Sequence, residues 1–487
     1  MEAFSDLRTP AFALDSHQIH TVISELAGTG RDSVSIDGFI RQYYRSGGPL
    51  VWVSRLGVDE RADVFLQQLR QVGEMGLTER AFGVEQIEAD YERMRTLHFD
   101  DEANTISNVA GRLEYRLTRA WLRYVSGQRF GFTNPNYILN RVDADLTDTL
   151  GNAKTFRRLY DVALERPNPH FYTALLRQVA NDSVAEALAD SRPVDSLFYR
   201  LQRELPKAEN DDARKRILVN MERCRWRYQK AMPKNGKRVI VNIPAFHLYA
   251  IGPGEKMEMR VGCGTTKTKT PQLVSEIERM DVNPNWIIPM SIVETDVAHH
   301  AGDPSYFSRH RYFIYNRQTG EHVSPEATSR SMLLSGDYRV AQEGGAGNSL
   351  GRIVFRFANN FSVFLHDTST RAFFSRDNRG VSHGCVRVER PFDLARFLLN
   401  SPDAWLLDRL RISMGMQPET QQGIDFVHSH PNEDDRKLIH SHNVSPRVPL
   451  YIIYFTIYPD LHDQLQYYPD VYGFDGVVYQ HLQPYMR

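Results

Sequence analysis

Met232-Pro233-Lys234-Asn235-Gly236-Lys237, followed by Arg238-Val239-Ile240-Val241-Asn242-Ile243, is where this chain changes character. Proline, asparagine and glycine clustered in six residues mark a turn, and the β-branched run after it reads as a strand. Before the turn, Ile217, Met221, Cys224 and Tyr228 recur at helical spacing on one face. A helical half handing over to a strand-rich half predicts an α+β protein. The expected organisation is a mostly helical scaffold over residues 1–235 and a mostly antiparallel β domain over 236–487.

Working back from the turn, Phe65, Leu69 and Val72 follow an i, i+4, i+7 pattern, as do Ile87, Tyr91 and Met94. Ile106, Val109, Leu113, Leu117, Ala120 and Tyr124 extend the same period over five turns. The glycines and Asn-Pro of Gly127 to Pro135 should break it. Cys224, on such a stripe, reads as a small buried hydrophobe.

Working forward, Met257 to Val261, Arg352 to Phe357 and Phe361 to Leu365 read as strands. Alternation in the last sends Phe361, Val363 and Leu365 to one face and leaves Phe364 and His366 on the other, with His366 at the strand end. Pro391 suits the first turn of a helix carrying Leu394, Ala395, Phe397 and Leu398. Residues 290–338 form a polar insert with Tyr306, Phe307, Tyr312, Phe313 and Tyr315, too long for a tight connection. Residues 418–449 read as a polar loop holding His428, His430, His440 and His442. A His-x-His pair is a possible metal ligand set, but with no cysteine beside it a solvated loop is the preferred reading and no metal is expected. Tyr451 to Tyr458 is a strand expected to return to the main sheet.

Lysine and arginine total 59 against 60 aspartate and glutamate, so the basic surplus that drives nucleic-acid binding is missing. No run approaches a membrane span, and Met1 to Ser16 has neither a basic nor an apolar leader region. The glycine-rich stretches Gly344-Gly345-Ala346-Gly347 and Gly252-Pro253-Gly254 lack the context of a phosphate loop or a dinucleotide-binding unit. Three cysteines cannot all pair, so a disulfide framework is not expected.

Chemistry concentrates in Phe364-Leu365-His366-Asp367-Thr368 and Ser382-His383-Gly384-Cys385-Val386-Arg387. A cysteine attacks as the thiolate, and its ordinary pKa of about 8.5 leaves it mostly protonated at neutral pH, so an imidazole within reach makes it competent. Cys385 is the candidate nucleophile and His366 the candidate base. Histidine before cysteine is not the papain order.

An upstream His, a spacer and Ser-His-Gly-Cys resemble the YkuD-type L,D-transpeptidases. Asn283-Pro284-Asn285-Trp286 with Pro289, Gly347-Asn348-Ser349-Leu350-Gly351, Val448-Pro449-Leu450-Tyr451-Ile452 and Pro469-Asp470-Val471-Tyr472-Gly473 extend the likeness to the large YcbB-like branch. Arg387 stands where small members usually have Asn, a departure the branch tolerates. Cys263 falls where relatives often carry a longer polar residue, and no function attaches to it.

The resemblance implies an exported, periplasmic or cell-envelope enzyme. The missing leader then marks a trimmed or mature form; the alternative is a cytosolic protein with a redox-sensitive thiol. It implies peptidoglycan stem peptides as donor and acceptor, cell-wall synthesis proteins as possible partners of the helical half, carbapenems as covalent inhibitors, and no cofactor. Insert 290–338 becomes a mobile cap, and Trp286 and Tyr338 line the donor groove. Ser382 positions the turn, Gly384 permits close approach so that N–H groups around Gly384 and Cys385 meet an oxyanion, and a backbone carbonyl near Ser-His-Gly orients the base. His383 either joins the proton chemistry or, preferably, holds the turn by hydrogen bonding backbone. Arg387 serves a substrate carboxylate or a structural salt bridge, and Asp367 is given a structural role. Hydrolysis by the same Cys/His pair and a non-catalytic cell-wall scaffold are the competing readings.

Overall fold

The structure is a computed structural model that describes residues 12–28, 35–54, 57–100, 102–147, 153–233 and 235–486. Most of the Met1–Ser16 stretch, and Lys234 of the turn, lie outside the described residues.

The N-terminal half is built around helix Ile106–Phe130. Thr105 Oγ1 caps it by accepting from the Asn108 N–H. Its buried side chains face several directions and meet helices Ser16–Ala27, Ile36–Arg45, Val84–Thr96 and Val184–Ser191. Inside this bundle the Glu114 carboxylate accepts hydrogen bonds from the N–H groups of Val51, Trp52 and Val53 and from the Tyr44 hydroxyl. The helix does not break at Gly127 as expected; it runs to Phe130 and ends at Gly131 (φ +90°). Gly127 is there for packing, because a Cβ on it would lie 2.0 Å from the Phe132 ring folded back on the helix.

After helix Asp211–Arg225 the chain enters strands. In chain order they are β1 (Tyr160–Asp161), contributed by the N-terminal half, β2 (Arg238–Asn242), β3 (His247–Gly252), β4 (Glu255–Gly264), β5 (Gln272–Val282), β6 (Ile353–Phe357), β7 (Leu365–His366), β8 (Gly380–Ser382), β9 (Val386–Val388) and β10 (Ser441–Ile453). Together they form one sheet in the order β6-β7-β9-β4-β3-β2-β10-β5-β1, with β8 beside β4. Strand β6 also pairs with β5, so the sheet closes on itself. Neighbours in the ring are antiparallel except β7–β9 and β2–β10, which are parallel. Closure removes free edges and encloses a core that includes Val239, Leu248, Val261, Leu365, Val386 and Leu450.

That core is not private to the β domain: Ile138, Leu139, Tyr160, Val219 and Trp226 from before the turn belong to it. The C-terminal residues reach back in return. Met486 bridges Leu77, Asn220 hydrogen-bonds the Thr456 hydroxyl and backbone, and Arg223 pairs with Asp475 at 2.6 Å.

Two further segments differ from expectation. Phe361–Leu365 is not a full strand: Asn359 Oδ1 accepts from the Phe361 and Val363 N–H groups and Ser362 takes φ +54°, so a side-chain-closed turn precedes the two residues of β7. Residues 418–449 are not a solvated loop. They hold helix Gln421–Ser429 and the first half of β10, in which Val444 and Val448 are buried; alternation with histidine and serine hid a half-buried strand. The insert, read as too long for a tight connection, is a small unit of its own. Trp286–Ile287, Tyr338–Gln342, Tyr312–Asn316 and His322–Val323 make an antiparallel sheet backed by short helices, with a core of Val293, Val297, Phe307, Ile314, Leu333 and Val340. Helix Pro391–Leu398 forms where Pro391 suggested.

Candidate active site

The parallel join of β7 and β9 builds the site. Its register sets Leu365 opposite Val386 and His366 opposite Arg387, and the Val386 N–H donates to the Phe364 carbonyl at 2.9 Å. Alternation sends Leu365, Val386 and Val388 into the core. Phe364, His366, Cys385 and Arg387 therefore share the other face.

Cys385 is half-buried at the edge of a cavity of about 570 Å³. Trp286 and Tyr338, at the two roots of the insert, line the same cavity together with Leu350, Phe364 and Arg356. Burial pushes the Cys385 thiol above its ordinary pKa, against the opposing pull of a backbone hydrogen bond from Phe364 and the charges of Arg387 and Arg356. His366 is only 3% exposed. Its Nδ1 lies 2.5 Å from the Asp367 carbonyl oxygen, an acceptor only, so Nδ1 carries the hydrogen of that contact, and the Leu350 carbonyl is a second backbone acceptor at the ring. Burial and the Arg387 charge lower its pKa to about 4, so the ring is neutral at pH 7. The orienting carbonyl belongs to Asp367, not to the Ser-His-Gly stretch.

The turn before the thiol is held from inside. Ser382 Oγ donates to the Cys385 carbonyl at 2.6 Å and accepts from the Gly384 N–H at 3.0 Å. Gly384 sits at φ +121°, a region that glycine alone adopts readily. Its N–H is committed to Ser382, which corrects the expectation that it meets an oxyanion; the Cys385 N–H is the remaining candidate. His383 is exposed and makes no hydrogen bond among the described residues, so the turn-holding role expected of it belongs to Ser382. Arg387 forms no ion pair among the described residues; its guanidinium lies over the Phe373 ring at 5.8 Å. The structural salt bridge weighed for it is not made.

Sequence reasoning missed the threonines that grip this turn. Thr265 N–H and Thr268 Oγ1 both donate to the Ser382 carbonyl, and Thr270 Oγ1 donates to the Gly384 carbonyl at 2.9 Å. The Tyr472 hydroxyl donates to the Gly264 carbonyl at 2.7 Å and accepts from the Thr270 N–H. Pro469–Gly473 thus buttresses the clamp from behind. Asp367 has the structural role given to it: it accepts from the Arg352 N–H at 2.8 Å and packs where a Cβ on Gly351 would stand. Asn348 donates to the carbonyls of Pro284, Gln342 and Glu343, pinning the two roots of the insert together. Cys263 and Cys224 are buried in hydrophobic cores, where burial raises both thiols. Among the described residues no three His, Cys, Asp or Glu side chains converge as a metal site, and no helix is long and apolar enough to cross a membrane.

A closed mixed sheet with a thiol just before β9 and a buried imidazole on its parallel neighbour β7 makes a candidate site beside the insert. Residues 236–404 match the L,D-transpeptidase catalytic domain family YkuD, and residues 38–205 match the Scaffold domain family. The C-terminal region thus belongs to the YkuD L,D-transpeptidase catalytic domains, and a Scaffold domain precedes it. The chain is also 28% identical over 274 residues to a Haemophilus influenzae protein named "Putative L,D-transpeptidase". That match covers 56% of this chain and half the length of the relative.

Proposed function

We propose that this protein is a peptidoglycan L,D-transpeptidase that forms 3-3 cross-links through a Cys385 thioester. The observation that supports the reading is the shared face of β7 and β9: Cys385 lines the cavity, and His366 is buried on the neighbouring strand of that face. The raised thiol and the lowered imidazole make a neutral resting pair, so His366 acts as a general base during attack and no preformed thiolate is needed.

In the first half-reaction Cys385 Sγ attacks the carbonyl between the diamino acid at position three and the terminal D-alanine. The thiol proton passes to His366, the Sγ–C bond forms, and the C–N bond breaks as the proton returns to the departing amine. In the second, the acceptor stem's amine attacks the thioester, His366 takes its proton, and the sulfur leaves and recovers that proton as thiol. The Cys385 N–H and the Arg387 cation face the developing oxyanion. Ser382 and Gly384 hold the turn, and Trp286 and Tyr338 flank the donor. No step requires a cofactor.

This reading places the enzyme in the cell envelope and makes carbapenems, which present an acylating carbonyl, covalent inhibitors of Cys385. Intact-protein mass spectrometry after brief exposure to a tetrapeptide donor tests it. A tripeptidyl adduct on Cys385 is expected, and turnover with an adduct elsewhere would overturn it.

A further inference from the structure

The cavity at Cys385 has a lining of one charge sign. Arg317, Arg339 and Arg356 face it, and no aspartate, glutamate or lysine does. Arg356 belongs to the closed sheet and is already engaged, paired with Asp281 at 2.8 Å and stacked over Phe364 at 4.5 Å. Arg317 and Arg339 belong to the cap and are not engaged in that way. The Arg339 guanidinium donates only to the backbone carbonyls of Gly336 and Tyr338, and neither residue makes an ion pair among the described residues.

The cap sheet brings these two together. Tyr315 stands opposite Arg339 in the antiparallel register, and the Arg317 N–H donates to the Asp337 carbonyl two pairs further on. Continued alternation puts Arg317 and Arg339 on one face as diagonal neighbours. Two guanidiniums without carboxylate partners, beside the aromatic wall of Trp286 and Tyr338, form a fork suited to carboxylate. With arginines as the charged side chains among the described residues of the lining, the cavity favours an anionic group over an amine.

Resting on the transpeptidase reading, we propose that Arg317 and Arg339 are specificity residues by which the cap selects a donor stem through a free carboxylate. The carboxylate is either that of the terminal D-alanine or one upstream of the scissile amide. The chemistry is shared, and the experiment separates the two.

Binding is measured by calorimetry on Cys385→Ala, alone and combined with Arg317→Gln, Arg339→Gln or both. Three synthetic tetrapeptides are compared: the free acid, the C-terminal amide, and a peptide amidated at its upstream carboxylates. With both arginines present, one of the amides is expected to bind about 10-fold or more weaker than the acid, as the loss of a charge-assisted contact implies. Without them, the acid should fall to the level of that amide and the discrimination should vanish. Which amide is penalised identifies the carboxylate. Unchanged acid affinity in the double variant, or discrimination that survives it, overturns the proposal. Turnover of the free acid by the otherwise unaltered protein is followed separately: turnover with arginine-independent binding fails the cap proposal alone, whereas no turnover and no binding fails the transpeptidase reading and this inference with it.

Discussion

His366 makes a prediction that does not depend on turnover. Its ring stays neutral in the fold down to about pH 4, against an ordinary value of 6.5. Between those values the unfolded chain binds a proton that the folded chain does not, so stability falls as pH drops from about 6.5 to about 4 and levels below that. The loss attributable to this one group is about 3 kcal/mol. Denaturant unfolding of the intact protein and of His366→Gln across that range should show the variant losing less stability on acidification. Equal slopes would mean the ring is not held neutral. Cys385 gives a second residue-scale prediction. Because burial raises the thiol, alkylation by iodoacetamide should climb with pH across and beyond the ordinary thiol range, with no acid-side plateau, while Cys224 and Cys263 stay unlabelled in the folded protein. A plateau near pH 5 would reveal a preformed ion pair.

The thiol and base were legible as residue types in a pattern; their relation to each other was not. Alternation correctly put Leu365 in the core and His366 on the opposite face, but only the parallel register with β9 shows that Cys385 shares that face. That Ser382, expected to position the turn, is the residue that bonds it while His383 is not was hidden for a similar reason. Which side chain closes a four-residue turn depends on backbone direction, and Gly384 at φ +121° turns Ser382 inward and leaves His383 exposed.

At the scale of the element, the turn Ser382–Cys385 and its threonine clamp form one hydrogen-bonded unit. Ser382→Ala removes a donor to the Cys385 carbonyl and an acceptor for the Gly384 N–H, both buried, and should cost about 1–3 kcal/mol. Gly384→Ala imposes strain at a positive φ of about 1–3 kcal/mol although a Cβ there would make only ordinary contacts, the nearest with Val363 at 3.5 Å. Both should lower kcat by more than tenfold because the thiol moves with the turn. Thermal unfolding and steady-state kinetics on the same samples check this, and normal kcat in a destabilised Ser382→Ala would show that the turn does not position the thiol. The clamp was hidden in the sequence because Thr265, Thr268 and Thr270 lie more than a hundred residues upstream of the turn they hold. Residues 418–449 were misread for a local reason: polar residues on the outward face of β10 outweigh two buried valines.

Across the whole molecule, the switch from helix to strand is real, coming after Arg225 with Tyr228 already bridged to Leu164, yet the halves do not part there. Tyr160 and Asp161 pair with β5, and Val219 and Trp226 complete the core of the closed sheet. Asn220, fully buried, ties the Asp211–Arg225 helix to Thr456. A fragment of residues 236–487 would expose that apolar seam, so it should fail to give a soluble monomer with cooperative unfolding. The intact protein should unfold in one transition, and Asn220→Ala should lower its midpoint without splitting it. Circular dichroism and calorimetry decide this; a stable, cooperative fragment would contradict a shared core. Composition and periodicity disclosed two architectures in order. The return of the C-terminus onto Leu77 and Asn220 joins residues far apart in sequence and left no local signal.

The measurement that bears most directly on the account is mass spectrometry of a disaccharide-tetrapeptide after incubation with the protein and with Cys385→Ala. The prediction is a cross-linked dimer formed with loss of one D-alanine, by the unaltered protein alone. Monomeric tripeptide without dimer, or dimer formed equally by Cys385→Ala, would contradict it.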